Sequence, residues 1–325
     1  TGSGGSYQLS WQGVDDPLEP TARPTYYIVY ERVDEGAFTE LAVVDDPGVS
    51  VTVSDNHIYS YKVVAANDGG LSFPSEILSL CDMPGSEKPQ VLVVNGFTRI
   101  SGPAEIYADG KIGFDYEDDH GVAQYGDIHF TGEQTEFRPE VKWVTNDAPG
   151  HGASRATHET EIFAGNAFDF VFVHGRSIRA AGYPFISCGV DAFVGTPQKP
   201  RIVDLILGKQ KEITVGTSQE RKFKPFTDSL KMRLAEFTAS GGALLVSGSY
   251  IGTDLFDNPL SNSEQRVVDY NFGQSVLGLQ WRQAKATITG KVREVRSRYT
   301  EFRGGLSLTF NQELNSDCYA VESPE

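Results

Sequence analysis

The chain has 325 residues, of which 39% are hydrophobic and 22% are charged, a composition typical of globular domains rather than disordered segments. Lys and Arg total 28 against 44 Asp and Glu, and the formal net charge of −16 disfavours binding to nucleic acid or to anionic membranes. No window approaches the roughly 18 apolar residues of a membrane-spanning helix, so we expect no membrane insertion. The N-terminal residues show no signal-peptide pattern, and any export signal is expected to have been removed.

The three cysteines, Cys81, Cys188 and Cys318, are too few and too widely spaced for a disulfide framework. No Cys-x-x-Cys pair occurs, so neither a zinc ribbon nor a thioredoxin-like site is indicated. The run DYEDDHG at 115–121 carries four carboxylates and a histidine that could hold a divalent cation, but a solvated acidic loop is the simpler interpretation. We therefore expect no bound metal and no cofactor.

The first 82 residues contain short β-rich runs separated by turn clusters, at a spacing typical of an antiparallel sandwich. Trp11, the alternating run TYYIVYERV at 25–33 and the run YSYKVVAAN at 59–67 resemble the landmarks of a fibronectin type III domain. In that family the tyrosine at the position of Tyr59 forms the tyrosine corner, and the tryptophan packs between the sheets. Residues 1–82 are thus predicted to form an all-β fibronectin type III sandwich.

A second domain is predicted after a linker at 83–90, which carries two prolines, a glycine and mixed charge. The run VLVVNG at 91–96 is continuously apolar, as in a fully buried strand of a parallel sheet. Three later runs share this form, FDFVFVHG (168–175), RIVDLILG (201–208) and GALLVSGS (242–249). Apolar spacing predicts an amphipathic helix over 226–240. The chain is therefore predicted to be multidomain, with residues 91–325 forming an α/β three-layer (αβα) domain around a mostly parallel sheet.

Two regions of this second domain lack the alternation of strand and helix. Residues 99–160 are rich in Gly, Asp, His and aromatics without periodicity, and we expect a long irregular excursion packed at the strand ends. Residues 286–321 contain the β-type runs ATITGKVREVRS and LSLTF. These runs are predicted to be terminal strands that either extend the sheet antiparallel or pair as a hairpin.

The carboxyl ends of the parallel strands locate the candidate site, because ligands of open α/β sheets bind just outside those ends. The predicted strands are followed by residues with hydrogen-bonding side chains. The candidate ligand-binding residues chosen by this rule are Asn95, Arg176, Ser247, Ser249, Tyr250 and Asp254.

The stretch AGYPFISCG at 181–189 is predicted to be a short strand followed by a sharp turn, and it resembles the nucleophile region of class I glutamine amidotransferase-like domains. A catalytic thiol needs a base or a field that lowers its pKa, and that superfamily supplies a histidine downstream of the cysteine. All six histidines of this chain precede Cys188, so a rearranged partner would have to be His174 or His120. Cys188, His174 and His120 are the candidate catalytic residues, and a core thiol is the preferred alternative.

In its order of segments, the chain resembles a region of secreted or cell-envelope proteins from Bacteroidetes-type bacteria that carry the label xanthan lyase or N-acetylmuramoyl-L-alanine amidase. The matching segments are GGLSFPSEILS followed by VLVVNGFTRISGP, then ETEIFAGNAFDFVFVHGRSI, AAGYPFISC, VDLILGKQ and ASGGALLVSGSYIGTDL. In longer members an amidase domain precedes this region and a golvesin-like β domain follows it. The resemblance implies a secreted, periplasmic or cell-surface location, flanking domains, and polysaccharide or peptidoglycan as partner.

Neither label brings a complete catalytic motif into these residues. A polysaccharide lyase uses a Tyr, His or Lys base with a group that neutralises a carboxylate, and the zinc ligands of the amidase belong to its preceding domain. The leading hypothesis is therefore an accessory region that binds or positions glycan or peptidoglycan without catalysis of its own. The alternative is a carbohydrate-active or amide hydrolase or lyase at the carboxyl ends of the strands, using Cys188 or the acidic residues of 99–160. The third hypothesis is a purely structural spacer.

Overall fold

A computed structural model of the chain describes mainly residues 5–98, 169–195, 200–215 and 220–283, apart from short gaps at 15–20, 22, 209 and 249. Elsewhere it describes little more than the backbone of six short strands. The run at 116–121, and most of the predicted excursion at 99–160, therefore lie outside the described residues. No helix in the described part of the chain is long and apolar enough to span a bilayer.

The chain divides into two compact units. The first consists of Thr1–Gly102, Gly121–Gly208 and Thr227–Ser247. The second consists of Pro103–His120, Lys209–Phe226 and Gly248–Glu325.

The N-terminal part of the first unit is a β-sandwich, as predicted. Its strands are β1 (Ser6–Ser10), β2 (Tyr26–Val33), β3 (Thr39–Val44), β4 (Gly48–Thr52), β5 (Ile58–Asn67), β6 (Gly70–Pro74) and β7 (Leu78–Cys81). One layer pairs β1 with β4, and the other has the order β3-β2-β5-β7 with β6 also beside β5. The inner faces meet in an apolar cluster that includes Val29, Val51, Tyr61 and Leu80. This cluster is the sandwich core, and it forms because apolar side chains alternate along each strand.

The two landmark residues of the sandwich, Tyr59 and Trp11, both have defined contacts. The Tyr59 hydroxyl accepts a hydrogen bond of 3.1 Å from the backbone N–H of Ser54, five residues upstream, which is the arrangement of a tyrosine corner. Trp11 packs its ring edge-on against Tyr27 at a centroid separation of 5.4 Å, beside the sandwich core. The tyrosine thus has the predicted hydrogen bond, whereas the tryptophan is a partly buried residue packed against the core.

The remaining elements follow in chain order. They are β8 (Val91–Asn95), β9 (Ala104–Ala108), β10 (Lys111–Asp115), β11 (Glu133–Gln134), β12 (Ser154–Arg155), α1 (Phe170–Ala180), β13 (Phe185–Gly189), α2 (Val190–Gly195), β14 (Ile202–Ile206), β15 (Ile213–Val215), β16 (Glu220–Lys222), α3 (Asp228–Ala239), β17 (Ala243–Ser247), α4 (Ile251–Phe256), α5 (Ser263–Ser275), β18 (Lys291–Arg293) and β19 (Ser307–Thr309). Strands β9 and β10, β11 and β12, β15 and β16, and β18 and β19 form separate antiparallel pairs. Of the two arrangements expected for the terminal strands, β18 and β19 adopt the paired one.

Strands β17, β14, β8 and β13 are mutually parallel and adjacent in that order. Three of them coincide with the apolar runs predicted as buried strands, and β13 coincides with the short strand predicted before Cys188. Helix α3 confirms the helix predicted over 226–240, and its buried Leu230, Leu234 and Phe237 recur at helical spacing. The Thr227 side chain begins this helix by accepting a hydrogen bond from the Leu230 N–H at 3.3 Å.

The strand predicted over 168–175 is wrong, because residues 170–180 form helix α1. The buried residues of α1 are Val171, Phe172 and Gly175, at positions i, i+1 and i+4. This is helical spacing, but a continuous apolar run fits a buried strand equally well. Gly175 permits close packing of α1, since a Cβ atom there would lie 2.3 Å from the Phe185 ring. Helix α1 covers one face of the parallel strands through an apolar cluster containing Val93, Phe172, Phe185 and Ile206.

The sandwich layer and the parallel strands are one hydrogen-bonded sheet of nine strands, because β13 lies between β8 and β7. Strand β13 runs antiparallel to β7 and pairs with it at Phe185 and Cys81. Beyond that pair, the Ser187 hydroxyl accepts from the Ser79 N–H at 2.8 Å and donates to the Ser79 carbonyl at 2.6 Å. At this seam the Ser187 side chain therefore makes the hydrogen bonds that the backbone of β13 would otherwise make to β7.

Candidate functional site

The carboxyl ends of the parallel strands lie level with one another, as the location rule requires. Asn95 is in register with Gly189 and with Ile206, and Ile206 is in register with Ser247. Asn95 is buried, and Ser247 is half-buried with its backbone carbonyl accepting from the Leu207 N–H at 2.7 Å. Asn95 and Ser247 were both predicted from sequence, and the fold brings them to the same edge of the sheet.

A carboxylate from the sandwich reaches this edge. Glu76, which follows β6, accepts a hydrogen bond from Nδ2 of Asn95. Burial raises the pKa of Glu76, the hydrogen bond from Asn95 lowers it, and the charge of Asp191 raises it further, so that the pKa lies above its ordinary value. The other amide atom of Asn95, Oδ1, is buried and accepts no hydrogen bond from the described residues. The site therefore combines a carboxyl group with an unsatisfied acceptor.

Gly189 allows Glu76 to approach the strand ends. A Cβ atom on Gly189 would lie 2.6 Å from Oε1 of Glu76. The glycine that follows Cys188 is therefore explained by the space that Glu76 occupies.

Cys188 is half-buried on β13, beside this edge. Burial, and then the charge of Glu76, raise the pKa of its thiol to about 12. Cys188 is in register with Val94, whereas its neighbours Ser187 and Gly189 are in register with Val93 and Asn95. Because side chains alternate between the faces of a strand, Cys188 points away from the face that α1 covers.

His174 lies on helix α1 rather than at the end of a strand. Its Nδ1 atom is 2.8 Å from Oδ2 of Asp204, a buried residue at the centre of β14. Asp204 is in register with Val93, so the His174–Asp204 pair lies on the α1 face. His174 and Cys188 are therefore on opposite faces of the sheet, and this arrangement provides no histidine base for the thiol. His120 lies outside the described residues.

Arg176 is on the exposed side of α1. Its Nε atom is 3.4 Å from Oε1 of Glu35, and both side chains are more than half exposed. The guanidinium group is thus at the surface, where it pairs with the sandwich. Ser249 lies outside the described residues.

The last two predicted ligand-binding residues belong to the second compact unit. Tyr250 is buried at the start of α4, and the Lys211 ammonium lies 5.4 Å from its ring centre. Asp254, one turn along α4, accepts a hydrogen bond from the Phe226 N–H at 3.2 Å. Burial raises the pKa of Asp254 to about 6, although Lys224 and the Phe226 N–H lower it.

Asp254 is part of an ionic network that no sequence pattern indicated. The Nζ atom of Lys224 lies 3.1 Å from Asp269, 3.5 Å from Asp254 and 3.9 Å from Glu212. Arg221 pairs with both oxygens of Glu212 at 2.8 Å. All three carboxylates are buried, so the two cations stabilise charges that would be costly alone. The network links the segment 209–226 to α4 and α5, and Asp254 has a structural role in it.

Sequence reasoning also missed Glu76 at the edge of the parallel strands and Asp204 at the centre of β14. Glu76 precedes Asn95 by 19 residues in a different predicted domain, and no spacing rule joins them. Asp204 did carry a signal, since it is the one charged residue inside the apolar strand β14. A buried charge requires a partner, and here the partner is His174. No cluster of three or more His, Cys, Asp or Glu side chains in the described part of the chain could hold a metal ion.

No protein-family model matches this chain, and no curated protein is similar to it. Similar solved structures are chains that contain fibronectin type III domains. The twitchin kinase region from C. elegans is 22% identical with a TM-score of 0.23, over 26% of this chain and 15% of that one. The titin kinase with its flanking domains is 18% identical with a TM-score of 0.22, over 29% and 20%.

A mutant fibronectin type III domain, FN3tt, is 23% identical with a TM-score of 0.19, over 24% of this chain and 76% of that one. The chain thus spans a fifth or less of the twitchin and titin structures. At these TM-scores the likeness carries no argument about function, and the sandwich is established by its own strands and core.

Proposed function

We propose that this chain is an accessory region of a secreted or cell-envelope protein, which positions a glycan or peptidoglycan ligand and has no catalytic activity of its own. Within it, we infer that residues 1–82 are a fibronectin type III module and that β8, β13, β14 and β17 with their helices are the core of an amidotransferase-like α/β domain. The observation that carries the proposal is the single sheet shared by the sandwich and the parallel strands.

A shared sheet supports a positioning role because it fixes the orientation of the two parts. Further contacts reinforce it. Arg179, in the last turn of α1, lies 2.6 Å from Oδ1 of Asp34 in the sandwich. Asp34 also accepts from the Ile58 N–H at 3.0 Å and lies 2.6 Å from Nδ1 of His57. A flexible tether would need none of these contacts. An accessory region that holds a ligand in a fixed position requires them.

Among the described residues the candidate nucleophile is not activated, and this supports the absence of catalysis. With its pKa raised to about 12, the Cys188 thiol is protonated at neutral pH. His174 lies on the other face of the sheet and is held by Asp204. The strand ends instead present Asn95 and Glu76, which are hydrogen-bonding groups suited to the hydroxyls of a sugar.

The test is a sedimentation assay with purified peptidoglycan sacculi and insoluble polysaccharides, with calorimetry on soluble fragments. The same fragments are incubated with the protein, and their reducing ends, unsaturated products and released peptides are measured. We expect binding without turnover, and weaker binding by Asn95→Leu at a temperature where its measured Tm shows that it is folded. Turnover that disappears in Cys188→Ala, or a lack of binding to every glycan, would contradict the proposal.

One observation favours the alternative, a hydrolase. An imidazole whose Nδ1 is held by a buried carboxylate has the orientation of a general base, and His174 and Asp204 have this arrangement. If the chain is a hydrolase that uses this pair, turnover falls at least about a hundredfold in His174→Gln. Turnover in the same assay that survives His174→Gln excludes this form of the alternative.

A further inference from the structure

Two buried oxygen atoms on the α1 face of the parallel strands have no hydrogen-bond donor in the described part of the chain. They are Oδ1 of Asn95 on β8 and Oδ1 of Asp204 on β14. Asn95 is in register with Ile206, and Asp204 is in register with Val93, so the two residues share a face and are diagonal neighbours. A buried acceptor without a donor lowers the stability of the fold. Two such acceptors on one face indicate a binding site for a group that donates hydrogen bonds.

The strand register is compatible with one small group that contacts both acceptors. Diagonal neighbours on adjacent strands lie roughly 7 Å apart, and side chains that lean together bring their oxygens closer. A nitrogen that donates to both at about 2.8 Å bridges oxygens up to about 5 Å apart. One nitrogen with several hydrogens can therefore satisfy Asn95 and Asp204 at once.

The charges around the two oxygens select a cation. Glu76 accepts from the neutral amide of Asn95, and Asp204 is held by His174. No Lys or Arg among the described residues pairs with Glu76 or Asp204 within salt-bridge distance. A hydroxyl offers one donor and no charge, whereas a primary ammonium offers three donors and a positive charge. Buried carboxylates are stabilised by such a partner.

The sheet surface beside Asp204 is exposed on the side of β17. Leu245 is in register with Asp204 on the α1 face and is 58% exposed, so α1 does not cover this part of the sheet. The His174 side chain, which contacts Asp204, is 24% exposed. Solvent therefore reaches His174 and Leu245 on either side of Asp204, which is itself buried.

We propose that Asn95, Asp204 and Glu76 form a binding site for the primary ammonium group of a small ligand. The proposal rests on the proposed function only in taking that ligand to be part of a glycan or peptidoglycan. Oδ1 of Asn95 and Oδ1 of Asp204 accept from the ammonium, and Glu76 supplies negative charge from the sandwich side. The amine of an amino sugar and that of an amino-acid side chain share this chemistry.

The test is calorimetry at pH 7.5 with glucosamine, glucose and ethanolamine. Glucosamine and glucose differ only in the amine, so we expect glucosamine to bind at least about tenfold more tightly. Ethanolamine binding as tightly as glucosamine supports the site and assigns recognition to the amine alone. Weaker ethanolamine binding supports the site and shows that the sugar ring contributes. Equal affinity for glucosamine and glucose, or no binding of either, overturns the proposal.

Variants distinguish binding at this site from nonspecific attraction of the amine to surface carboxylates. Asp204→Asn and Glu76→Gln keep the side-chain shape and should each reduce the preference for glucosamine over glucose about tenfold. Glu35→Gln removes an exposed carboxylate of the sandwich and should leave the preference unchanged. Because Asp204→Asn could weaken the fold, its Tm is measured, and the partly exposed Glu76→Gln provides the independent test. A preference that survives both variants overturns the proposal.

The two proposals fail separately. If sacculi bind while glucosamine and glucose bind equally, the ammonium site is wrong and the positioning function stands. If glucosamine is preferred but no glycan polymer is bound, the positioning function is wrong and the ammonium site stands.

Discussion

Arg32 of β2 and Asp169, the residue before α1, form a two-pronged ion pair with contacts of 2.6 and 2.9 Å. Their side chains are 11% and 9% exposed. The guanidinium also lies 4.5 Å from the centre of the Phe172 ring. The pair thus joins the sandwich to the helix that covers the parallel strands, and it does so away from water.

Replacing Arg32 by methionine should destabilise the first unit markedly. The substitution keeps much of the apolar stem and leaves the Asp169 carboxylate without its main cation, which costs about 3–5 kcal/mol for a buried pair. Urea unfolding followed by circular dichroism measures the loss, and the double variant with Asp169→Asn should recover part of it.

The pair of Arg176 and Glu35 is the matched control, since it also joins α1 to the sandwich but is 58% and 57% exposed. Arg176→Met should change the free energy of unfolding by less than about 1 kcal/mol. If both methionine variants have the same effect, burial does not set the strength of the Arg32 pair.

Gly175→Ala should lower stability although alanine favours helices. Alanine gains about 1 kcal/mol of helix propensity, but its Cβ would lie 2.3 Å from the Phe185 ring, and such overpacking costs about 1–3 kcal/mol or more. Thermal unfolding measures the net loss of stability. The same glycine substitution in a Phe185→Leu background should cost less stability than it does in the parent. Gly195→Ala in α2 meets no atom within 4 Å and should be neutral or slightly stabilising. A Gly175→Ala variant as stable as the parent would show that α1 can move away from β13.

The Cys188 thiol should react slowly with iodoacetamide. With a pKa of about 12, about one thiol in ten thousand is ionised at pH 8, and only the thiolate reacts. Labelling rates resolved by residue in a mass spectrometer should rise steadily with pH up to the limit of folding. Glu76→Gln should speed the reaction, because it removes a charge that raises the pKa. A rate that levels off near pH 7 would instead indicate an activated nucleophile.

Asp254→Asn should change how stability depends on pH. The pKa of Asp254 is raised from 3.8 to about 6 in the folded chain, so folding favours its protonated form. Its contribution to stability is complete below pH 3.8 and is lost as the pH rises through about 6. The parent should therefore lose on the order of 2 to 3 kcal/mol from this group between pH 4 and pH 7. Urea unfolding at several pH values should show that slope missing from Asp254→Asn, whereas parallel curves would contradict the assignment.

The sequence was sufficient to predict the sandwich and three of the parallel strands, because alternation and continuous apolar runs report burial directly. It failed at α1, where FVFVHG is apolar at consecutive positions and fits either a buried strand or a buried helix. At the site it identified Asn95 by position but not Glu76, since a contact between a sandwich loop and a strand end depends on how β13 is inserted beside β7. Asp204 stands out in the sequence as the charged residue inside β14. Its partner His174, however, was predicted as a possible base for Cys188.

The seam between β7 and β13 has a mechanical consequence. There the ladder is reduced to the pair of Phe185 and Cys81, and Ser187 bonds through its hydroxyl to both backbone groups of Ser79. Under tension along the chain, this seam is where the sheet should part first, while the longer ladders on either side remain intact. Ser187 would then set the force at which the seam opens. Pulling Ser187→Ala in an optical trap should lower the first rupture force and leave later ones unchanged.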